Sequence, residues 1–136
     1  MILRGEVFYD ADCALCSRGA RRWGGMFARR GYCCLPMQAP GAASSLGVSD
    51  TELGTEMKLR LVGGGVIGGV DAWAILFRAV WWLWPLGVLI RMPGVRTMGG
   101  VIYRWMARNR YRISDACGLH QRELVRHRHA AFFELP

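Results

Sequence analysis

Hydrophobic and polar positions change period along this chain, and each change marks an element. The run from Gly5 to Tyr9 carries apolar Val7-Phe8-Tyr9 and has the length of a strand. A helix is predicted from Cys13 to about Arg29, with Asp12 as its N-cap and Gly31 just beyond its end. Tyr32 to Met37 is a second short apolar run of strand length, with Pro36 confining its end to an edge or a turn. Strand, helix and strand open a βαβ unit, which favours a parallel pair.

The stretch Gln38 to Ser49 is rich in Gly, Ala, Pro and Ser and reads as a loop, too short to separate domains. Weak helical turns are expected at Ala42 to Leu46 and Thr51 to Gly54. Met57 to Val62 alternates Met57, Leu59 and Leu61 with Lys58 and Arg60, the period of a half-buried strand. Gly63-Gly64-Gly65 then turns the chain into a brief strand at Val66-Ile67, making a hairpin. Asp71 is expected to cap a helix running through Trp82. Strand, helix, strand, hairpin and helix is the order of the thioredoxin fold. The expected class is therefore α/β, a central mixed sheet of about four strands flanked by helices, with a helical C-terminal extension.

Ala72 to Ile90 is nearly all apolar and close to membrane-spanning length. Arg78 in its middle and Pro85 with Gly87 oppose a continuous span. Its tryptophans, Trp73, Trp81, Trp82 and Trp84, suit a core face or an interfacial belt. Val101 to Arg112 has helical period, with Val101, Trp105 and Met106 expected to turn inward. Arg104, Arg108 and Arg112 fall at i, i+4 and i+8 and so form one basic stripe. That stripe reads as a solvated face or as a docking surface for an acidic partner or phosphate. The segment after Arg112 is read as a tail from 113 to 136, a short helix or a partly disordered one, following a domain at 1–112.

The chain has 136 residues, enough for one domain to bury a core without disulfide staples, so its five cysteines need another explanation. No apolar leader precedes the first charged residues, and a cytoplasmic, reducing setting is the expectation. The net charge is +8, carried by arginine except for Lys58. Such a surface attracts anionic partners, including a membrane face, but no motif for specific nucleic-acid reading is visible.

The candidate chemistry lies in Asp12-Cys13-Ala14-Leu15-Cys16, a CxxC directly behind the first strand. At a helix N-terminus, unpaired backbone N–H groups and the helix dipole favour thiolate over thiol. An exposed Cys13 at the helix start would attack a disulfide, and Cys16, one turn further in, would resolve the mixed disulfide. Nearby Asp10 and Asp12 oppose thiolate formation, and Arg18 would offset them. Asp10 admits two readings: proton acceptor for Cys16 during resolution, or a carboxylate closing the turn on backbone amides.

Tyr9-Asp10-Ala11-Asp12-Cys13-Ala14-Leu15-Cys16 resembles the YDxxCxLC signature of the DCC family of thioredoxin-like thiol-disulfide oxidoreductases. Gly69-Val70-Asp71-Ala72 is similar to that family's GxDA, and Tyr103 to Tyr111 is similar to its YRWxARNRY. The resemblance implies a dithiol enzyme of protein-disulfide reductase type. It would act on a protein or small-molecule disulfide without a cofactor. Cys13, Cys16 and Asp10 would form its centre, with Tyr9, Asp12, Asp71, Arg108, Asn109 and Arg110 in support. Ala11 stands where the family usually has Gly. The cis-proline that commonly faces the CxxC in such proteins is missing, with Gly54-Thr55-Glu56-Met57 in its place.

Two other uses of these residues compete. A non-catalytic module would hold an acidic protein or an anionic membrane surface through the tryptophan-rich segment and the arginine stripe. Zinc would need four N or S ligands, and Cys33-Cys34 is a poor second pair because strand neighbours point to opposite faces. Cys117 with His120, or His127 with His129, has better spacing, but no metal site is expected.

Overall fold

The computed structural model describes residues 2–116. Strands β1 (Gly5–Tyr9), β2 (Tyr32–Pro36), β3 (Lys58–Leu61) and β4 (Val66–Gly68) form one sheet in the order β2-β1-β3-β4. β1 runs parallel to β2, with Val7 opposite Cys34, and antiparallel to β3, with Val7 opposite Leu59. β3 and β4 close the expected hairpin. Helices α1 (Ala14–Ala28), α2 (Ala42–Leu46), α3 (Asp50–Leu53), α4 (Gly69–Arg78), α5 (Trp84–Ile90) and α6 (Pro93–Ala116) surround it. This is the mixed four-stranded α/β arrangement of the thioredoxin-like fold, with a C-terminal helix added.

The alternation of side chains along β1 divides the core in two. Val7 and Tyr9 point to one face and join Cys34, Leu59, Phe27 of α1 and Ala72 and Leu76 of α4. Phe8 points to the other and meets Met37, Ala42, Leu46 and Leu53, so the short helices α2 and α3 cover that face. Glu6, on the same side as Phe8, pairs with Arg60 of β3, whose guanidinium also donates to the Ser45 carbonyl. Cys33 and Cys34 are both buried, and Cys34 belongs to the first cluster.

Several cap and boundary expectations are corrected by the tertiary structure. Cys13, not Asp12, is the N-cap of α1, because its sulfur is the group that receives the Cys16 N–H. Asp71 is not a cap either. Gly68 holds the N-cap position of α4, and the Asp71 carboxylate takes a bidentate pair from Arg96 at 2.8 and 2.7 Å. The helix expected through Trp82 stops at Arg78, and a turn separates it from α5. None of the described helices is long and apolar enough to cross a membrane. The C-terminal helix begins at Pro93 and continues through Arg112 to Ala116. The readings placed on Cys117, His120, His127, His129 and the remaining tail lie outside the described residues.

The inward face of α6 is the largest departure. Val101, Trp105 and Met106, expected inside, are exposed. Hydrogen bonds select the opposite face: Tyr103 accepts from the Met57 N–H at 3.2 Å, while Arg110 and Tyr111 reach Asp10. Gly99 and Gly100 let this face approach Val70 of α4.

α5 lies against α4 at a contact that only glycine permits. A Cβ on buried Gly87 would stand 2.6 Å from Arg78 Cγ, 2.8 Å from Arg78 N and 2.9 Å from Ala74 O. Two of those atoms are helix backbone, so the helices must separate to admit a methyl group. Gly87→Ala is expected to destabilise the protein by about 1–3 kcal/mol, the usual range for overpacking, as a lowered midpoint in urea denaturation.

Candidate functional site: a dithiol held by a buried carboxylate

The loop between β1 and α1 delivers Cys13 and Cys16 to the first turn of the helix. Cys13 has an extended backbone, and its Sγ accepts the Cys16 N–H at 3.4 Å, one of the amides that a helix start leaves without a backbone partner. Both cysteines are free. The Cys16 thiol also donates to Cys13, and this is the largest influence on the pair. It holds the Cys13 thiol down to about 7, with the Cys16 N–H and the Arg110 charge helping, against burial and Asp10. The same hydrogen bond, then burial, pushes the Cys16 thiol up. The two sulfurs are thus driven apart, one toward thiolate and the other toward thiol.

Accessibility runs opposite to the expectation for an exposed Cys13. Cys13 is 0% exposed, whereas Cys16 is half-buried. Cys16 lies in the wall of a largely apolar cavity of about 350 Å³ between the sheet, α1, α4 and α6. Leu15, Trp23, Phe27, Trp73, Tyr103 and Met106 form much of its remaining wall. Trp73 meets Phe27 edge-on at 6.4 Å and Phe77 at 5.4 Å, which fixes one aromatic side of the chamber. Tyr9 lines it as well; burial, then Cys34, raises its phenol to about 12, so it is neutral at physiological pH.

Asp10 is the anchor of the turn. It is 4% exposed. Its Oδ1 accepts the Asp12 N–H at 2.9 Å and Gln38 Nε2 at 2.7 Å, and its Oδ2 accepts the Tyr111 hydroxyl and pairs with Arg110, each at 2.7 Å. Of the two sequence readings, the contacts of this carboxylate match turn closure. It does more than that, because it also ties the dithiol loop to α6, a hundred residues further along the chain.

Gln38 completes the clamp. Its amide oxygen accepts the Ala11 N–H at 3.0 Å while its nitrogen spans Asp10 and Asp12. Ala11 itself is fully buried, and its carbonyl accepts Ser17 Oγ. No described non-glycine residue has a positive φ, so Ala11 replaces glycine here without backbone strain. Opposite the dithiol, where thioredoxin-like proteins commonly place a cis-proline, the Met57 N–H is bonded to Tyr103. Proline has no N–H to make that bond.

The other sequence candidates separate. Arg110 joins Asp10 and also donates to the Gly54 carbonyl at 2.7 Å. Asn109 bonds only the Trp105 carbonyl of its own helix, Arg108 is exposed, and Asp71 is occupied by Arg96, so no hydrogen bond or ion pair among the described residues brings these three to the dithiol. Gln38, Tyr103 and Tyr111 are site residues that sequence reasoning did not assign. Tyr103 and Tyr111 lay within the C-terminal motif, but Gln38 sat in a loop with no local signal.

A parallel βαβ opening, a dithiol at the first helix N-terminus and an antiparallel hairpin define the thioredoxin-like class of dithiol proteins. The model of the DCC1-like thiol-disulfide oxidoreductase family matches residues 7–116, and the chain belongs to that family. No curated protein and no solved structure matches the chain.

Removing the anchor leaves a buried guanidinium and a phenol without their acceptor. Asp10→Ala is expected to cost about 3–5 kcal/mol, the range for breaking a buried ion pair from one side. Tyr111→Phe, which removes one hydrogen bond to a charged group, is expected to cost about 1.5–3 kcal/mol. Chemical denaturation of the reduced proteins checks both values and their order.

Proposed function

We propose that the protein is a thiol-disulfide oxidoreductase of reductase type in which Cys13 attacks and Cys16 resolves. The observation that carries this reading is the donation of the Cys16 N–H to the Cys13 sulfur at a helix start. Together with the neighbouring Cys16 thiol it holds the Cys13 thiol down to about 7. The Cys13 thiolate attacks one sulfur of the substrate disulfide, forming a mixed disulfide and releasing the other sulfur as a thiolate that takes up a proton. Cys16 then loses its proton to solvent or the leaving group and attacks Cys13, forming the Cys13–Cys16 disulfide and releasing the second substrate thiol. Two electrons pass from the dithiol to the substrate.

Because Cys13 is fully buried, its surroundings must yield before a substrate disulfide reaches it. The cavity beside Cys16 offers room for apolar groups of a protein or small-molecule substrate. Asp10 and Arg110 are positioning residues in this reading, since they hold the turn and α6 rather than touch the substrate. No cofactor is required. A cytoplasmic setting, where thiols are kept reduced, suits a dithiol that donates electrons.

Alkylation tests the assignment directly. The rate of Cys13 modification by iodoacetamide, followed by mass spectrometry, should rise with a midpoint near 7, the value Cys13 is held to. In Cys16→Ala the thiol donor is gone, so the midpoint should move up toward the ordinary cysteine value of about 8.5. Cys16→Ala should also accumulate a mixed disulfide with a disulfide substrate, while Cys13→Ala forms none. Equal midpoints in the wild type and Cys16→Ala would refute the coupling.

A further inference from the structure

The face of α6 that turns away from the domain is apolar, and nothing described covers it. Met98, Val101, Ile102 and Trp105 are 64, 55, 55 and 60% exposed. They follow one another at i, i+3, i+4 and i+7, the spacing of a continuous stripe on one side of a helix. The opposite side of α6 already has its partners: Gly99 and Gly100 against Val70, Tyr103 on Met57 and Arg110 on Asp10. This helix therefore has two apolar-bearing faces, of which the fold uses one. The neighbouring α4–α5 turn and α5 add Trp81, Trp84 and Leu89, with Trp81 the most exposed at 81%.

Charge identifies what such a face can meet. From Asp71 to Asp115 the sequence contains no acidic residue, while Arg78, Arg91, Arg96, Arg104, Arg108, Arg110 and Arg112 all fall between them. Arg96 and Arg110 are engaged by Asp71 and Asp10. Arg104, Arg108 and Arg112 form no ion pair among the described residues and run along one flank of the apolar stripe. A helix with an exposed apolar face edged by basic residues is built to lie in the plane of a bilayer, with tryptophan at the headgroup level. A second copy of this chain is a poor occupant. Two-fold pairing of the face would set arginines against arginines.

We propose that α5 and the outer face of α6 form a docking surface for an anionic lipid bilayer, which holds the domain at the membrane without spanning it. Exposed tryptophan, methionine and aliphatic side chains enter the interface, and Arg104, Arg108 and Arg112 contact lipid phosphate or carboxylate. This surface does not depend on the redox assignment, because none of its contacts involves Cys13, Cys16 or Asp10.

Co-sedimentation of the full reduced chain with phosphatidylcholine vesicles, with and without about a third phosphatidylglycerol, tests the proposal at several salt concentrations. Partition onto the anionic vesicles should exceed that onto neutral ones and fall as salt rises. At about 1 kcal/mol per basic residue near the surface, each arginine contributes about fivefold, so Arg104→Gln with Arg112→Gln should weaken partition about thirtyfold. Trp81→Ser, on the apolar portion of the surface, should also weaken it. Circular dichroism and the urea denaturation midpoint report whether these variants remain folded; if the arginine pair misfolds, Arg104→Gln and Arg112→Gln are tested singly, each expected to weaken partition about fivefold. Equal partition onto neutral and anionic vesicles would overturn the proposal. So would absence from both kinds of vesicle, whether with binding to polyglutamate, which would reassign the face to an acidic protein, or with a stable dimer in sedimentation, which would reassign it to self-association.

Discussion

One buried carboxylate holds the dithiol in place. Asp10 accepts from a backbone amide of its own turn, from Gln38 in the loop after β2, and from Arg110 and Tyr111 on α6. A buried anion of this kind is tolerable only when its acceptor positions are filled and its charge is matched. Meeting that requirement forces three distant segments together. The loop carrying Gln38 and the C-terminal helix can reach Asp10, beside the dithiol turn, only when the sheet and α1 are assembled.

The same demand explains which way α6 faces. By hydrophobicity alone, Trp105, Val101 and Met106 compete well for the interior. Tyr103, Arg110 and Tyr111 win because they supply donors or acceptors that the core would otherwise lack: a hydroxyl for the Met57 N–H, a cation for Asp10 and a phenolic donor for the same carboxylate. Burying apolar area yields about 25 cal/mol per Å² regardless of which side chain supplies it, whereas an unmatched buried charge has no substitute partner. Val101 and Trp105, displaced by that choice, belong to the exposed stripe.

Within the site, Asp10 and the dithiol pull against each other. The carboxylate raises the Cys13 pKa, and Arg110, brought in by that carboxylate, lowers it. With these charges partly cancelling, the hydrogen bonds from Cys16 become the larger influence, and they act in opposite directions on the two sulfurs. Asymmetry between chemically identical cysteines thus arises from position on the first helical turn, with α1 offering its amide to one sulfur only.

The local elements were legible because their signals are local. A short apolar run placed β1, alternation placed β3, the glycine triplet placed the hairpin, and the CxxC behind a strand located the dithiol at the start of α1. The motif resemblance named the DCC family from Tyr9 to Tyr111. Caps were misplaced at Asp12 and Asp71, where a side chain that suits a cap found a stronger partner or lost the position to its neighbour. What the tertiary structure alone decided was long-range: that Gln38 clamps the turn, that α4 ends at Arg78 to let α5 pack at Gly87, that Cys13 is the covered sulfur and Cys16 the one at the cavity, and that α6 turns Tyr103 and Arg110 inward. Sequence period reports which residues share a face of a helix. Only the unmet charge and hydrogen-bonding needs of the rest of the fold determine which of two suitable faces is buried.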